Sequence, residues 1–358
     1  DTSSVKKVDI EKIVETFGQR YSITSKQLSE TRELLVHLPK DYQESNTQYP
    51  VLYVLDGGSH FKHAVIAGDT LQRYEMMPKH IIVAIPNNTG KRNRDVSEGR
   101  EKFNAFITKE VMPYIDENYR TSGINTLFGH SSMGAVTLGL LAKPQAVFNN
   151  YIAASPALDP TSTELTDKFE QLFSKNKLSD KAVYFTATEK NREIPGFTEG
   201  ATKLSAMFTK KAPKNLLWQY NFIQGQQHMT TPYVTLYEGL STVFNDYQAP
   251  VYSNYQDFLQ RGAMQGFNEQ YLQRGKKYNI SNEAPEQALI SLTNMLAAEE
   301  HLEEALEILV AYSKKNPEAL RTYNALADIY QQMDKPEQTI KAYQKAISIS
   351  KKVAPQYT

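Results

Sequence analysis

The stretch from Asn125 to Leu141 restricts what this chain can fold into more than any other stretch. It reads NTLFGHSSMGAVTLGLL: a short apolar run, a tight turn with two serines, and an apolar segment of helix length. A buried strand that turns sharply into a buried helix is typical of a nucleophile elbow, in which the turn lifts a serine hydroxyl above the edge of a sheet. The stretch therefore predicts a sheet covered by helices, with a reactive serine at its edge.

The two serines give two possible registers for this elbow. Small residues usually stand two positions before and two after the nucleophile, because strand and helix pass close together there. Ser131 has Gly129 before it, but Met133 occupies the second position after it. Ser132 has Gly134 after it, but a bulky histidine stands before it. We expect Ser131 to be the nucleophile, with Ser132 as the alternative; an ordinary serine-containing loop is the non-catalytic interpretation.

Strands and helices alternate on both sides of the elbow. Tyr49–Leu55 is nearly all apolar, as expected of a central strand that is covered on both faces. Further strands are predicted at residues 31–39, 80–86, 151–156, 182–188 and 216–223. Helices are predicted between them, at residues 61–73, 101–119 and 200–209. The pattern predicts an α/β-hydrolase domain at residues 1–250 with a mainly parallel sheet.

A serine nucleophile needs a base, and the order of residues along the chain restricts the choice. In this fold the histidine follows the serine, on a loop after the last core strand. Of the seven histidines, His228 fits this place, and we expect it to be the base; a surface histidine without a role is the alternative.

The sequence is less decisive about the acid that would orient the base. Glu189 stands directly after the strand at 182–188, where the acid is expected, whereas Glu193 and Glu199 compete with it in the same loop. We expect Glu189, with a solvated loop carboxylate or a serine–histidine pair without an acid as alternatives.

Backbone N–H groups should stabilise the oxyanion that forms when the serine attacks. One should come from Ser132, and the other from Gly57 and Gly58 in the loop after Tyr49–Leu55. A plain turn is the alternative at these glycines. The polar groups Arg92, Arg94 and Asp95 either line the pocket or form a structural ion pair.

The C-terminal part of the chain has a different character. Residues 251–283 are polar and rich in aromatic side chains, which predicts a linker or helical connection. From residue 284 to 358 apolar positions recur after 34 residues, as at Leu292 and Leu326, and Pro317 closes the first copy. This period predicts tetratricopeptide repeats, with two generic amphipathic hairpins as the alternative. Two copies are few for a stable array, so a protein partner or a homodimer through these repeats is expected.

Composition excludes several classes of function. Lys plus Arg and Asp plus Glu each number 40, so the formal charge is zero and no nucleic-acid surface is expected. Cysteine is absent, which removes disulfides and cysteine-based zinc sites, and we expect neither metal nor cofactor. No apolar run reaches the ~18 residues of a membrane span. The chain begins at Asp1, which is compatible with a cleaved signal peptide and a periplasmic or secreted protein, or otherwise with a cytoplasmic one.

Five segments of the chain carry a wider resemblance: ITSKQLSETR from Ile23, YPVLYVLDG, the RNRD loop, FITKEVMPYIDENYR before the elbow, and the loop with His228. From about Ile23 to Phe244 the chain resembles the putative esterase family, α/β-hydrolases related to esterase D and to esterases that cut enterobactin-type siderophore trilactones. The resemblance implies Ser131 as nucleophile, His228 as base and Gly57–Gly58 as oxyanion loop. Some members carry C-terminal tetratricopeptide repeats, and the family usually has glycine where this chain has Met133.

Three functions are compatible with these features. A serine carboxylesterase acting on a small ester, with an attached protein-binding module, is the one we expect. A catalytically impaired hydrolase fold that serves only for binding is the alternative, because Met133 departs from the elbow pattern. An acyltransferase or peptidase on the same fold is the third.

Overall fold

The computed structural model describes residues 16–87 and 89–353, without the side chain of Val353. Residues 1–15 of the predicted hydrolase domain lie outside this described part. The chain divides into two compact units, Asp1–Asn245 and Asp246–Thr358.

The first unit is built on one eight-stranded sheet. Its strands are Gln19–Ser25 (β1), Glu30–His37 (β2), Tyr49–Leu55 (β3), Ile81–Ile85 (β4), Thr121–His130 (β5), Asn150–Ala154 (β6), Ala182–Ala187 (β7) and Leu217–Phe222 (β8). They lie in the order β1-β2-β4-β3-β5-β6-β7-β8. β1 pairs antiparallel with β2, and β2 pairs antiparallel with β4, whereas all the remaining pairs are parallel.

Helices cover this sheet. They are Gly57–Arg73 (α1), Arg92–Val96 (α2), Arg100–Phe106 (α3), Met112–Asn118 (α4), Ser132–Leu141 (α5), Glu164–Ser174 (α6), Phe197–Lys211 (α7) and Thr231–Val243 (α8). A π-helical turn, Ile107–Val111, lies between α3 and α4. It precedes Pro113, which cannot donate the backbone hydrogen bond that a regular helix requires.

The central strands are buried because helices pack on both faces of the sheet. Every residue of β3 is buried, as is every residue of β4, β6 and β7. Their apolar side chains belong to a core that also includes Phe103, Phe106 and Phe169 from the covering helices. The expected α/β-hydrolase architecture with a mainly parallel sheet is confirmed.

The secondary structure of the second unit, as far as residue 353, is helical. Its helices are Tyr255–Gln260 (α9), Ala263–Tyr278 (α10), Glu286–Ala298 (α11), Leu302–Lys315 (α12), Leu320–Gln332 (α13) and Pro336–Val353 (α14). α11 and α13 begin 34 residues apart, and so do α12 and α14. This spacing is the period of a tetratricopeptide repeat.

The segment 251–283, interpreted from the sequence as a linker or helical connection, holds α9 and α10. Phe258, Phe267 and Tyr271 from these helices are buried in the same core as Leu296 and Leu326 of the repeats. The helices before the repeats therefore share one hydrophobic core with them.

No helix within the described residues is both long enough and apolar enough to cross a bilayer.

Candidate active site

Ser131 lies at the junction between β5 and α5, in a strained backbone conformation. Its φ is 58° and its ψ is −123°, a region that residues other than glycine rarely adopt. Its N–H donates to the carbonyl oxygen of Ala154 at 3.0 Å, and its own carbonyl oxygen accepts from Ala135 and Ala157. Ser132 is instead the first residue of α5. The backbone thus distinguishes the two serines: Ser131 occupies the apex of the turn.

The turn is tight because small residues allow strand and helix to approach each other. A Cβ atom on Gly129 would lie 2.2 Å from the carbonyl oxygen of Met133 and 2.5 Å from Oγ1 of Thr137. Met133 itself is fully buried in the hydrophobic core. At Gly134 a Cβ would lie 3.1 Å from Cα of Pro156. The turn therefore forms with a methionine at the place where glycine was expected.

His228 lies in the loop between β8 and α8, and three hydrogen bonds hold its backbone. Its N–H donates to the carbonyl oxygen of Arg192 at 3.0 Å. Its carbonyl oxygen accepts from Oγ1 of Thr231 and from Nε2 of His130, each at 2.9 Å. The residue before Ser131 is thereby bonded to the loop that carries His228.

The carboxylate that partners His228 is Glu193. Its Oε1 accepts a hydrogen bond from Nδ1 of His228, and the glutamate side chain is fully buried. Burial raises the pKa of the Glu193 carboxyl, but the hydrogen bonds from His228 and from the N–H of Ile194 outweigh burial, and the pKa is lowered. Glu193 is therefore held as a carboxylate beside the imidazole.

Glu189, the acid expected from the sequence, has other hydrogen-bond partners in the structure. The Glu189 carboxylate accepts from the N–H of Gly225 at 2.9 Å and from the hydroxyl of Thr188 at 2.7 Å. The N–H of Glu193 donates to the carbonyl oxygen of Glu189, so a single turn of chain separates the two side chains. Glu199, the other candidate, pairs with Lys190 at 2.7 Å. The turn after β7 thus places Glu193, four residues beyond Glu189, against the imidazole.

Two helices begin at the same edge of the sheet. α1 begins at Gly57 and α5 at Ser132. The first N–H groups of a helix have no partner within the helix and carry partial positive charge. A Cβ on Gly57 would lie 2.7 Å from the backbone nitrogen of Ile85, whereas one on Gly58 would meet no atom within 4 Å. Gly57 therefore packs directly against β4, whereas the space beside Gly58 is empty.

These groups surround one cleft of about 480 Å³. The cleft is lined by Asp56, Gly58, Ser59, His60, Pro86, Asn87, Arg92, His130, Ser131, Ile194, His228 and Met229. One wall is polar: Asp56 accepts from Nε and Nη2 of Arg92, both at 2.8 Å, and from Asn87 at 2.6 Å. The lining also includes the apolar residues Ile194 and Met229, and Met229 is 68% exposed. The cleft can therefore contact both polar and apolar parts of a ligand.

Of the arginines and aspartate expected near the pocket, only Arg92 lines it. Asp95 is fully buried and accepts from Arg32 at 2.8 Å and from Arg94 at 2.6 Å. Arg94 also bonds Glu30. Arg94 and Asp95 thus belong to a structural network of ion pairs.

Two further histidines, His60 and His130, line the same cleft as His228. The ring of His130 lies 4.6 Å from that of His228, and the ring of His60 lies 5.5 Å from that of His130. Burial lowers the pKa of His130 to about 3 and that of His60 to about 4. Both are neutral near pH 7. Within the described residues no group of three or more histidine, aspartate or glutamate side chains is arranged to hold a metal ion.

Family models match both parts of the chain. The family model described as "Putative esterase" matches residues 25–231, and the model described as "Tetratricopeptide repeat" matches residues 287–352. The uncharacterized protein YjcH of Bacillus subtilis is 30% identical over 206 residues, which cover 54% of this chain and 84% of that protein. The ferri-bacillibactin esterase BesA of Bacillus subtilis is 33% identical over 162 residues, which cover 36% of this chain and 55% of that protein.

Solved structures show the same fold. An IroE-like serine hydrolase from Shewanella oneidensis superposes with a TM-score of 0.63 at 26% identity, over 88% of this chain and 99% of that chain. A siderophore hydrolase, EstB from Aspergillus nidulans, shares the fold with a TM-score of 0.56 at 18% identity, over 68% of this chain and 99% of that chain. The chain therefore belongs to the putative esterase family, as an ester hydrolase domain followed by tetratricopeptide repeats.

Proposed function

We propose that this esterase is a serine hydrolase that works through an acyl-enzyme, with Ser131 as nucleophile, His228 as base and Glu193 as acid. The observation that carries the proposal is the backbone of Ser131: a strained serine at a strand–helix junction, in the same cleft as a histidine that is paired with a buried carboxylate. Strain of this kind persists where the surrounding structure holds it, and it is frequent at catalytic residues.

The chemistry follows from these positions. Glu193 accepts a hydrogen bond from Nδ1–H of His228, which keeps the proton on Nδ1 and leaves Nε2 as the base. Nε2 takes the hydroxyl proton of Ser131 while its Oγ bonds to the carbonyl carbon of the ester. When the tetrahedral intermediate breaks down, the C–O bond to the alcohol breaks, and His228 returns its proton to the departing oxygen. Water then repeats the attack on the acyl-enzyme, releasing the carboxylic acid and restoring the serine hydroxyl.

The developing oxyanion requires donors that are already in place. The N–H of Ser132 at the start of α5 and that of Gly58 near the start of α1 serve this purpose. Both belong to helix N-termini, whose partial positive charge favours an anion. Gly57 supports this arrangement indirectly, since its lack of a side chain lets the loop pack against β4.

We further propose that the substrate is a small ester with a polar portion, with siderophore esters as the first class to test. The Arg92–Asp56–Asn87 wall offers hydrogen-bonding groups, and Met229 offers apolar surface. BesA, a relative in sequence, is a ferri-bacillibactin esterase. These features suit a polar ester better than a long-chain lipid.

The nucleophile can be tested directly with a fluorophosphonate probe, which bonds to activated serines. We expect one covalent adduct, which peptide mass mapping assigns to Ser131, and no adduct in Ser131→Ala. An adduct on Ser132, or none on a folded protein, would refute the assignment.

The substrate class needs a separate comparison. Hydrolysis rates should be measured for a ferric trilactone siderophore, a sugar acetate and p-nitrophenyl butyrate. We expect the trilactone to give the highest kcat/KM. A higher value for either of the other two esters would reject the siderophore class while leaving the serine mechanism intact.

A further inference from the structure

Helix α14 carries apolar side chains on two different faces. Its inner face packs on the preceding helix, α13, through the buried side chains Ala342, Ala346 and Ile349. Its outer face also carries large apolar residues, Ile340, Tyr343 and Ile347, and the two isoleucines are 57% and 55% exposed. These three follow one another at intervals of three and four residues, so they form one stripe along the helix. We call it the α14 stripe.

The stripe differs from an ordinary exposed helix face, which is mostly polar. Contiguous exposed apolar residues with a polar surround commonly mark an interface. The α14 stripe therefore has the character of a surface that another helix covers.

We propose that the α14 stripe binds the α14 stripe of a second copy of this chain, in antiparallel orientation, to form a twofold-symmetric dimer. With the symmetry axis near residues 343 and 344, Ile340 of one copy faces Ile347 of the other, and the reciprocal pair forms at the same time. Such self-complementarity is what a twofold interface requires.

The charges at the ends of the helix favour this orientation. Glu337 lies in the first turn of α14 and Lys351 in the last turn. Glu337 stands three residues before Ile340 and Lys351 four residues after Ile347, so the two charges flank the ends of the stripe. Antiparallel pairing brings Glu337 of each copy to Lys351 of the other, whereas parallel pairing would bring like charges together. Antiparallel helix dipoles add to the preference.

The dimer should be moderate in strength. α14 has 18 residues and is about 27 Å long. A single helix pair of this length buries less than the roughly 1,600 Å² of a standard interface. We therefore expect a dissociation constant in the micromolar range, and dimerisation that brings two esterase units into one assembly.

Sedimentation velocity of the full chain, from about 1 to about 200 μM, tests the proposal. Wild-type protein should shift from monomer to dimer across this range. The double variant Ile340→Glu/Ile347→Glu should remain monomeric and keep ester hydrolysis, because both side chains are exposed on a unit remote in sequence from the cleft. Ile66→Glu is the matched control: Ile66 is also 57% exposed but lies on α1, so this variant should dimerise like wild type.

Charge exchange tests the orientation. Glu337→Lys and Lys351→Glu should each weaken the dimer several-fold, and the double variant should restore it, because the two charges merely change places. A wild-type chain that stays monomeric at the highest concentration would refute the proposal, as would a dimer that survives the Ile340/Ile347 variant. A double charge variant weaker than both single variants would refute the antiparallel register.

Discussion

His130 bonds through Nε2 to the backbone carbonyl oxygen of His228, at 2.9 Å, and so joins the residue before the proposed nucleophile to the loop of the proposed base. Thr231 donates to the same oxygen from the start of α8. The separation of Ser131 and His228 is thus set by bonds to the backbone as well as by packing. The candidate site is one connected unit across β5, β7 and β8.

The first prediction concerns the two adjacent serines. Ser131→Ala should reduce kcat for p-nitrophenyl butyrate by at least about 10³-fold, because only oxyanion stabilisation and binding remain. Ser132→Ala should cost less than about tenfold, since the backbone N–H that it contributes survives. Steady-state kinetics of both variants provide the measurement, and the reverse order of effects would move the nucleophile to Ser132.

The second prediction separates Glu193 from Glu189. Glu193→Gln should lower kcat by about 10²-fold or more, because the amide can no longer hold the imidazolium that forms in the transition state. Glu189→Gln is the matched control with the same chemical change. Its amide oxygen can still accept from the N–H of Gly225, so this variant should stay within about threefold of wild type. A larger loss of kcat in Glu189→Gln than in Glu193→Gln would identify Glu189 as the acid instead.

The third prediction is a loss of stability in acid, caused by the buried neutral histidines. Burial lowers the pKa of His130 to about 3, whereas an unfolded histidine titrates near ~6.5. Above that unfolded value both states are neutral and stability is unaffected. Below it the unfolded chain binds more protons, so the free energy of unfolding falls with pH until the folded pKa is reached.

Each such histidine contributes a slope of at most about 1.4 kcal/mol per pH unit. His130→Gln keeps a donor for the His228 carbonyl but does not titrate. We therefore expect its unfolding free energy, from urea denaturation between about pH 6.5 and pH 4, to fall less steeply than that of wild type. Parallel curves for the two proteins would show that His130 is protonated in the folded state.

A fourth prediction concerns the tight turn. Gly129→Ala should destabilise the protein by several kcal/mol, on the order of 3 or more, because its Cβ would overlap the backbone oxygen of Met133. Gly139→Ala, in α5 of the same elbow, is the control: a Cβ there meets no atom within 4 Å, so the change should stabilise by about 0.5–1 kcal/mol. Chemical denaturation of both variants checks the contrast. Equal effects would mean that the turn relaxes to accept a side chain.

The parts of the site that the sequence predicted are those with local signals. Gly129 and the apolar segments around it identify the turn, and chain order selects His228. Glu193, the carboxylate that bonds His228, could not be selected from the sequence, because a turn beginning at Glu189 brings it there and no periodic pattern marks such a turn. The packing of His130 against His228 depends on residues 98 positions apart.

In the fold, too, elements with a strong local sequence pattern could be predicted and the others could not. Buried strands such as β3 are apolar throughout and easily recognised, whereas β1 is a largely exposed edge strand whose polar sequence QRYSITS gives a weak signal. α1 begins at Gly57, earlier than the predicted start at Phe61, because Gly57 and Gly58 were interpreted as part of an oxyanion loop. The long helix predicted at 101–119 is interrupted by the π-helical turn before Pro113. Edges, caps and helix irregularities depend on tertiary contacts that a local pattern does not contain.

The last prediction concerns where the chain can be divided. A truncation after residue 283 removes the repeats but leaves Phe258, Phe267 and Tyr271, which are buried in the core that they share with the repeats. These aromatic side chains would be exposed, so that protein should aggregate.

A truncation after Asn245, at the boundary between the two compact units, removes the whole second core. It should stay soluble and keep kcat/KM for a short ester within about tenfold, which is roughly 1.4 kcal/mol of barrier. Size-exclusion chromatography and kinetics of the two truncations, side by side, give the comparison. A soluble, folded protein of residues 1–245 without activity would show that the helical unit contributes to the active site.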